Sequence, residues 1–132
     1  MAEAEIRSYR DLKVWQEARE LAERCFRATH HFPKSEMFGL VTQIRRAAAS
    51  VAANIAEGYG RESRGECLQF LRVAQGSLKE LENLFAACAS RRVSLRKQSW
   101  SPFEHVREGG QNVASSHPFP ATVCQTPLNP SA

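Results

Sequence analysis

Three successive segments of this chain place apolar residues at helical spacing, and a proline or a pair of glycines separates each from the next. That periodicity restricts the chain to packed helices, because an alternating strand pattern is nowhere sustained. In the first segment Leu12, Trp15, Ala18, Ala22 and Cys25 form the stripe, widened by Leu21 and Phe26. The pattern predicts a helix over about residues 11–29, with Ser8 or Asp11 as its cap. "HHFPKS" breaks it, since Pro33 disfavours helical geometry in the residue before it. The second helix is expected to start near Ser35 and to end at "EGYGR", with Gly58 in a left-handed closing conformation. The third opens on Ser63 and Glu66, an S-x-x-E capping box. Its stripe is Cys67, Phe70, Leu71, Ala74, Leu78, Leu81, Phe85 and Cys88. Short connections make the three helices antiparallel neighbours. The fold class is therefore all-α, an antiparallel up-down helix bundle.

The second helix carries more than a core stripe. Leu40, Ile44, Ala48, Val51 and Ile55 share one arc. Beside them Gln43, Arg46, Ser50, Asn54 and Glu57 fall within an arc of roughly 80° at 100° per residue. Two readings stay open for this polar stripe. It faces water, or it forms hydrogen bonds between helices or between subunits, which set register more than stability. Ser50 and Asn54 are poor helix formers and favour the second reading. The alanines at 47, 48, 49, 52 and 53 would let another helix approach closely.

Beyond about Ser90 the character changes. Five of the six prolines lie in residues 91–132, together with Gly109 and Gly110. A helix-interior proline costs about 3 kcal/mol, so no long helix fits after Ser116. The one local helix signal is "SPFEHVRE", where Ser101 caps, Pro102 takes the first position and Gly109 stops the run. This tail holds five Lys or Arg against two Glu, and so carries +3 of the net +4. Residues 8–90 are thus read as a helical bundle domain and residues 91–132 as a basic, Pro-rich, mostly disordered tail. No fourth long helix follows the three stripes. Three wide stripes then leave a groove, which Trp100, Phe103 and Val106 would cover only in part, and an open groove promotes aggregation or self-association.

A chain of 132 residues can bury one core. No run is apolar enough to span a bilayer, and "MAEAEIRSYR" lacks the apolar centre of a signal peptide, so the expected location is the cytoplasm. Cys25, Cys67, Cys88 and Cys124 form no C-x-x-C pair and no zinc-ligand spacing with histidine. The first three fall on core stripes and read as small buried hydrophobes. His30 and His31 read as cations at a helix C-terminus. No metal, cofactor or small-molecule substrate is expected.

Enzyme chemistry finds little support. "EGYGRESRGE" follows no strand and lacks a P-loop lysine. Local context suggests no Ser-His-Asp or Cys-His set, and Glu57 with Asn54 is the one candidate buried polar pair. A nucleic-acid surface has a stronger basis. Arg45, Arg46, Arg61, Arg64 and Arg72 are expected to gather around the corner of the second and third helices, where phosphate neutralisation would give affinity without sequence readout. The alternative is an ordinary solvated face offset by Glu57, Glu62 and Glu66. Phe70 and Phe85 belong to the apolar stripe and read as core, not as stacking platforms.

"YRDLKVWQEARELA", "FPKSEMFGLVTQIRRAAASVAANIAEGYGR" and "FLRVAQGSLKELENL" resemble the four-helix bundle protein family, also called the 23S ribosomal RNA intervening-sequence protein family. The resemblance covers about residues 8–85, and "QIRRA…S…NIAEG" is its specific part. Ala52 stands where such proteins carry proline, which should leave the second helix straighter. The resemblance implies a fourth amphipathic helix that this chain does not continue into. Its loss between Leu84 and Ser90 looks like a frameshift, with natural divergence as the alternative. The resemblance also implies a non-enzymatic bundle that assembles as a homopentamer and associates with RNA or DNA or serves as a scaffold. A protein-interaction module partnering a reverse transcriptase is a further reading by analogy, and so is a non-functional family member.

Overall fold

The computed structural model describes residues 5–90, Phe119 and residues 121–124, and the described residues form helices without strands. Helix α1 spans Lys13–Thr29, α2 spans Thr42–Tyr59 and α3 spans Arg64–Ser90. At about 1.5 Å per residue, α3 is roughly half as long again as α2.

Helix α2 is the centre of the arrangement, with α1 and α3 packed on it. Arg45 near its start meets Thr29 at the end of α1. Ser50 meets Ser77 midway along α3, and Gly58 near its end meets Cys67 at the start of α3. Those pairings make the neighbours antiparallel. The whole expected arc of α2 is buried, from Leu40 through Ile44, Ala48 and Val51 to Ile55. It is joined by Ala18, Leu21 and Cys25 of α1 and by Cys67, Leu71, Ala74, Leu78, Leu81, Phe85 and Cys88 of α3.

The chain approaches α1 through a 3-10 turn, Tyr9–Asp11, closed by a capping box. The Ser8 hydroxyl accepts from Arg10 N–H at 3.2 Å, and the Asp11 carboxylate accepts from the Arg7 and Ser8 N–H groups at 2.9 and 3.0 Å. Those two bonds hold the Asp11 carboxyl below its ordinary range. Ser8 thus caps a turn, whereas α1 itself starts after Leu12 with no side-chain cap.

Several expectations need correction. Ser35 does not cap α2. Glu36 N–H bonds to Pro33 O at 3.0 Å, so a 3-10 turn (Lys34–Glu36) encloses Ser35, and a π turn (Met37–Val41) leads from it into α2. Gly58 does not close α2 in a left-handed conformation. It is buried inside the helix, and the closing residue is Gly60, in right-handed geometry with φ of −78°. The reason for glycine at 58 is contact: a Cβ there would lie 3.1 Å from the Cys67 carbonyl oxygen and 3.2 Å from Phe70 Cβ. Ser63 caps α3 as expected, accepting from Glu66 N–H at 3.2 Å. The Glu66 carboxylate accepts from the Ser63 hydroxyl at 3.3 Å and not from the Ser63 N–H, so the capping box is only half formed. α2 runs unbroken through Ala52.

"SPFEHVRE", with Trp100, Phe103 and Val106, lies outside the described residues. So do Gly109, Gly110 and most of the expected disordered tail. A short 3-10 turn, Ala121–Cys124, instead packs on α2 and α3. Val123 and Cys124 are buried there and Phe119 lies against the same core. Cys124 is disulfide-bonded to Cys67 across 57 residues of sequence, so Cys67 is buried as expected but is not a free thiol. No helix among the described residues is long and apolar enough to cross a membrane.

Candidate functional site

The polar stripe of α2 divides into two parts. Ser50 and Asn54 are half-buried and face inward. Ser50 Oγ and Ser77 Oγ are 2.8 Å apart, the Ser77 hydroxyl also lies 3.1 Å from Val73 O, and Asn54 Nδ2 donates to Ser50 O at 2.8 Å and to Ser50 Oγ at 2.9 Å. Two poor helix formers are tolerated here because their polar atoms are satisfied at the α2–α3 seam. Ser77 escaped the sequence reading. It lies within the α3 stripe, where a serine reads as an interruption until its partner across the seam is known.

Gln43, Arg46 and Glu57 lie on the surface. Glu57 pairs with Arg61 at 3.1 Å, one turn on. Gln43 and Arg46 line an open groove of about 370 Å³ with Ala47, Ser50, Ser77 and Glu80. Its rim carries Arg46 and Glu80, one cation and one anion, with no ion pair between them.

The five arginines do not gather at one corner. Arg45 lies in the first turn of α2 and Arg61 follows its closing residue Gly60, so most of the helix, roughly 20 Å at about 1.5 Å per residue, lies between them. Arg45 turns toward α1, where its Nε donates to Thr29 Oγ1 at 3.0 Å and its guanidinium lies 5.0 Å from the Phe26 ring. Thr29 can accept because its own hydroxyl donates to Cys25 O at 2.8 Å. Arg61 lies 4.5 Å above the Phe70 ring. Arg64 and Arg72 are exposed on α3, and Arg46 is exposed on α2. Two aromatics move with these findings. Phe70 is half-buried beneath Arg61 and Phe26 is 45% exposed beneath Arg45, so neither is a core residue, whereas Phe85 is buried.

A second surface was not anticipated. Tyr9 and Trp15 meet edge to face, with ring centroids 5.2 Å apart. The Arg10 guanidinium lies 5.8 Å from the Tyr9 ring and that of Arg19 lies 5.7 Å from the Trp15 ring. These four residues and Gln16 line an open depression of about 700 Å³. Gln16 Nε2 donates to Arg10 O at 2.9 Å and ties the turn to the helix. The neighbouring Tyr9 side chain raises the Arg10 pKa above its ordinary value. Sequence reasoning placed Trp15 in the core stripe, yet it is half-buried at the core's edge. The usable signal was the spacing of Ser8 and Asp11, which folds Tyr9 back over the first turn of α1.

For covalent or metal chemistry the site offers little geometry. Burial pushes the Cys25 thiol up to about 12, so it stays protonated. Among the described residues no group of three or more His, Cys, Asp or Glu is placed to hold a metal ion. What the described surface presents is cationic, aromatic and hydrogen-bonding.

The family model for the 23S rRNA-intervening sequence protein matches residues 10–109. The match continues through the change of character between Leu84 and Ser90, as α3 itself does, so the likeness does not stop near Phe85 as the lost periodicity suggested. No curated protein matches the chain.

Proposed function

Since the chain belongs to the 23S rRNA-intervening sequence protein family, we propose that it is a non-enzymatic helical-bundle protein that associates with RNA and acts as a homo-oligomer. The family's description supplies the RNA context. The observation that carries the reading is the set of exposed guanidinium groups at Arg46, Arg64 and Arg72, none ion-paired with a described carboxylate. Such groups bind phosphate without base selection, and repetition of the subunit multiplies their field.

Self-association is supported by the outer half of the polar stripe. Gln43, Arg46 and Glu80 border a groove whose floor is the satisfied Ser50–Ser77 pair. A neighbouring subunit presenting an acceptor to Arg46 and a donor to Glu80 fits that rim, with the pentamer of the family resemblance as the expected state.

Light scattering coupled to size exclusion, with and without a single-stranded RNA oligonucleotide, tests both parts. A discrete oligomer whose mass rises by bound RNA is the expected result. A monodisperse monomer that leaves RNA in its own peak at low salt would overturn the reading.

A further inference from the structure

We infer that the corner formed by Tyr9, Arg10, Trp15 and Arg19 is a platform for single-stranded RNA, taking a base against the aromatic pair and its phosphates on the two arginines. This places the RNA association proposed above at a defined site and rests on that reading.

The four arginine–aromatic pairs of the described residues differ in what else their guanidinium groups hold. Arg45 is committed to Thr29 and Arg61 to Glu57. Arg10 and Arg19 have no carboxylate partner among the described residues and both are exposed. The Tyr9 side chain holds part of the Arg10 guanidinium, and the donors that the two exposed arginines keep beyond their ring contacts suit a phosphate. The nearest acid in the turn, Asp11, spends its carboxylate on the Arg7 and Ser8 N–H groups, so its charge is drawn to the cap. The groove beside Arg46 is a poorer phosphate site because Glu80 shares its rim.

The aromatic part favours a single strand. A base stacks on a ring only when its own face is free, which duplex stacking prevents. Tyr9 and Trp15 are half-buried and edge to face at the border of an open depression. They are also held in advance. The capping box fixes the turn, and Gln16 clamps Arg10 O to α1, so little ordering remains for binding.

The test follows the emission of Trp15 in a Trp100→Phe background, where it is the one tryptophan left. The probe is a labelled single-stranded oligouridylate of about ten nucleotides, within the site sizes of stacking-based binders. Saturable quenching of Trp15 is expected, in step with the rise in RNA anisotropy. Arg10→Gln with Arg19→Gln should weaken binding roughly tenfold, because charge and cation–π support are lost together. Arg27→Gln with Lys34→Gln removes the same charge from exposed positions elsewhere and should weaken it much less. A duplex of equal length should leave Trp15 emission unchanged.

Binding with unchanged Trp15 emission and equal losses in the two double variants would overturn the platform while leaving RNA association intact. Absence of binding at low salt by both signals would remove the platform and the RNA reading together. A changed oligomeric state in the Arg10/Arg19 variant, with RNA affinity unaltered, would make this corner a protein contact and also overturn the inference. If Trp100→Phe fails to fold, the anisotropy comparison of the two double variants in the native sequence decides alone.

Discussion

Replacing Gly58 and Gly76 by alanine, one at a time, should move stability in opposite directions although both lie inside helices. Alanine in a helix interior gains up to about 1 kcal/mol over glycine through backbone entropy. At Gly76 a new Cβ meets nothing within 4 Å, so Gly76→Ala should realise most of that gain. At Gly58 the same atom would sit 3.1 Å from the Cys67 carbonyl oxygen and 3.2 Å from Phe70 Cβ. The carbonyl is backbone and cannot rotate away, so α3 must move by a few tenths of an ångström along a seam that also holds the Ser50–Ser77 pair. Overpacking of this kind costs about 1–3 kcal/mol, and its middle value of about 2 exceeds the helix-propensity gain and leaves a net loss of about 1 kcal/mol. At roughly 4–8 °C per kcal/mol for a small domain, Gly58→Ala should lower Tm by about 4–8 °C, and Gly76→Ala should raise it by a few degrees. Thermal unfolding followed by far-UV circular dichroism reads both. Equal stabilisation by the two variants would refute the close approach of α2 and α3 at Gly58.

The Cys67–Cys124 bond closes a long loop, and its removal by Cys124→Ser should cost about 2–4 kcal/mol in urea unfolding. A reducing agent should shift native protein by a similar amount and leave Cys124→Ser unmoved. Equal effects on both would contradict the bond's structural role. Cys25 has a folded pKa raised from 9.0 to about 12 by burial. Its contribution to stability is therefore full below about pH 9 and lost as pH rises toward about 12. The pH-dependence of unfolding should be shallower there in Cys25→Ala than in native protein, and identical slopes would place the thiol in water.

The helices were legible because their stripes repeat at helical spacing, and the arc from Leu40 to Ile55 is buried throughout. What sequence reasoning missed depends on partners distant in sequence. A glycine near a helix end looks like a closing residue whether it turns the chain or admits a neighbour, and only Cys67 and Phe70 reveal which applies to Gly58. Phe26 and Phe70 sit at the margins of their stripes, where an arginine from another helix or turn can cover the ring as effectively as the core. Arg45 and Arg61 lie near opposite ends of α2, a separation that counting basic residues does not register. Cys124 follows a stretch without periodicity, so nothing local marks it as the partner of Cys67. The Ser50–Asn54 half of the polar stripe was readable as hydrogen-bonding because helix propensity argued against both residues on a bare surface.

The measurement closest to the central claim is the affinity of the full chain for single-stranded RNA across a series of salt concentrations. Several arginine–phosphate contacts release counterions, so the logarithm of the association constant should fall linearly and steeply with the logarithm of salt concentration. Affinity should drop by orders of magnitude from low to moderate salt, and Arg10→Gln with Arg19→Gln should flatten the slope by about two contacts. A salt-independent affinity, or no RNA binding at the lowest salt, would contradict the account.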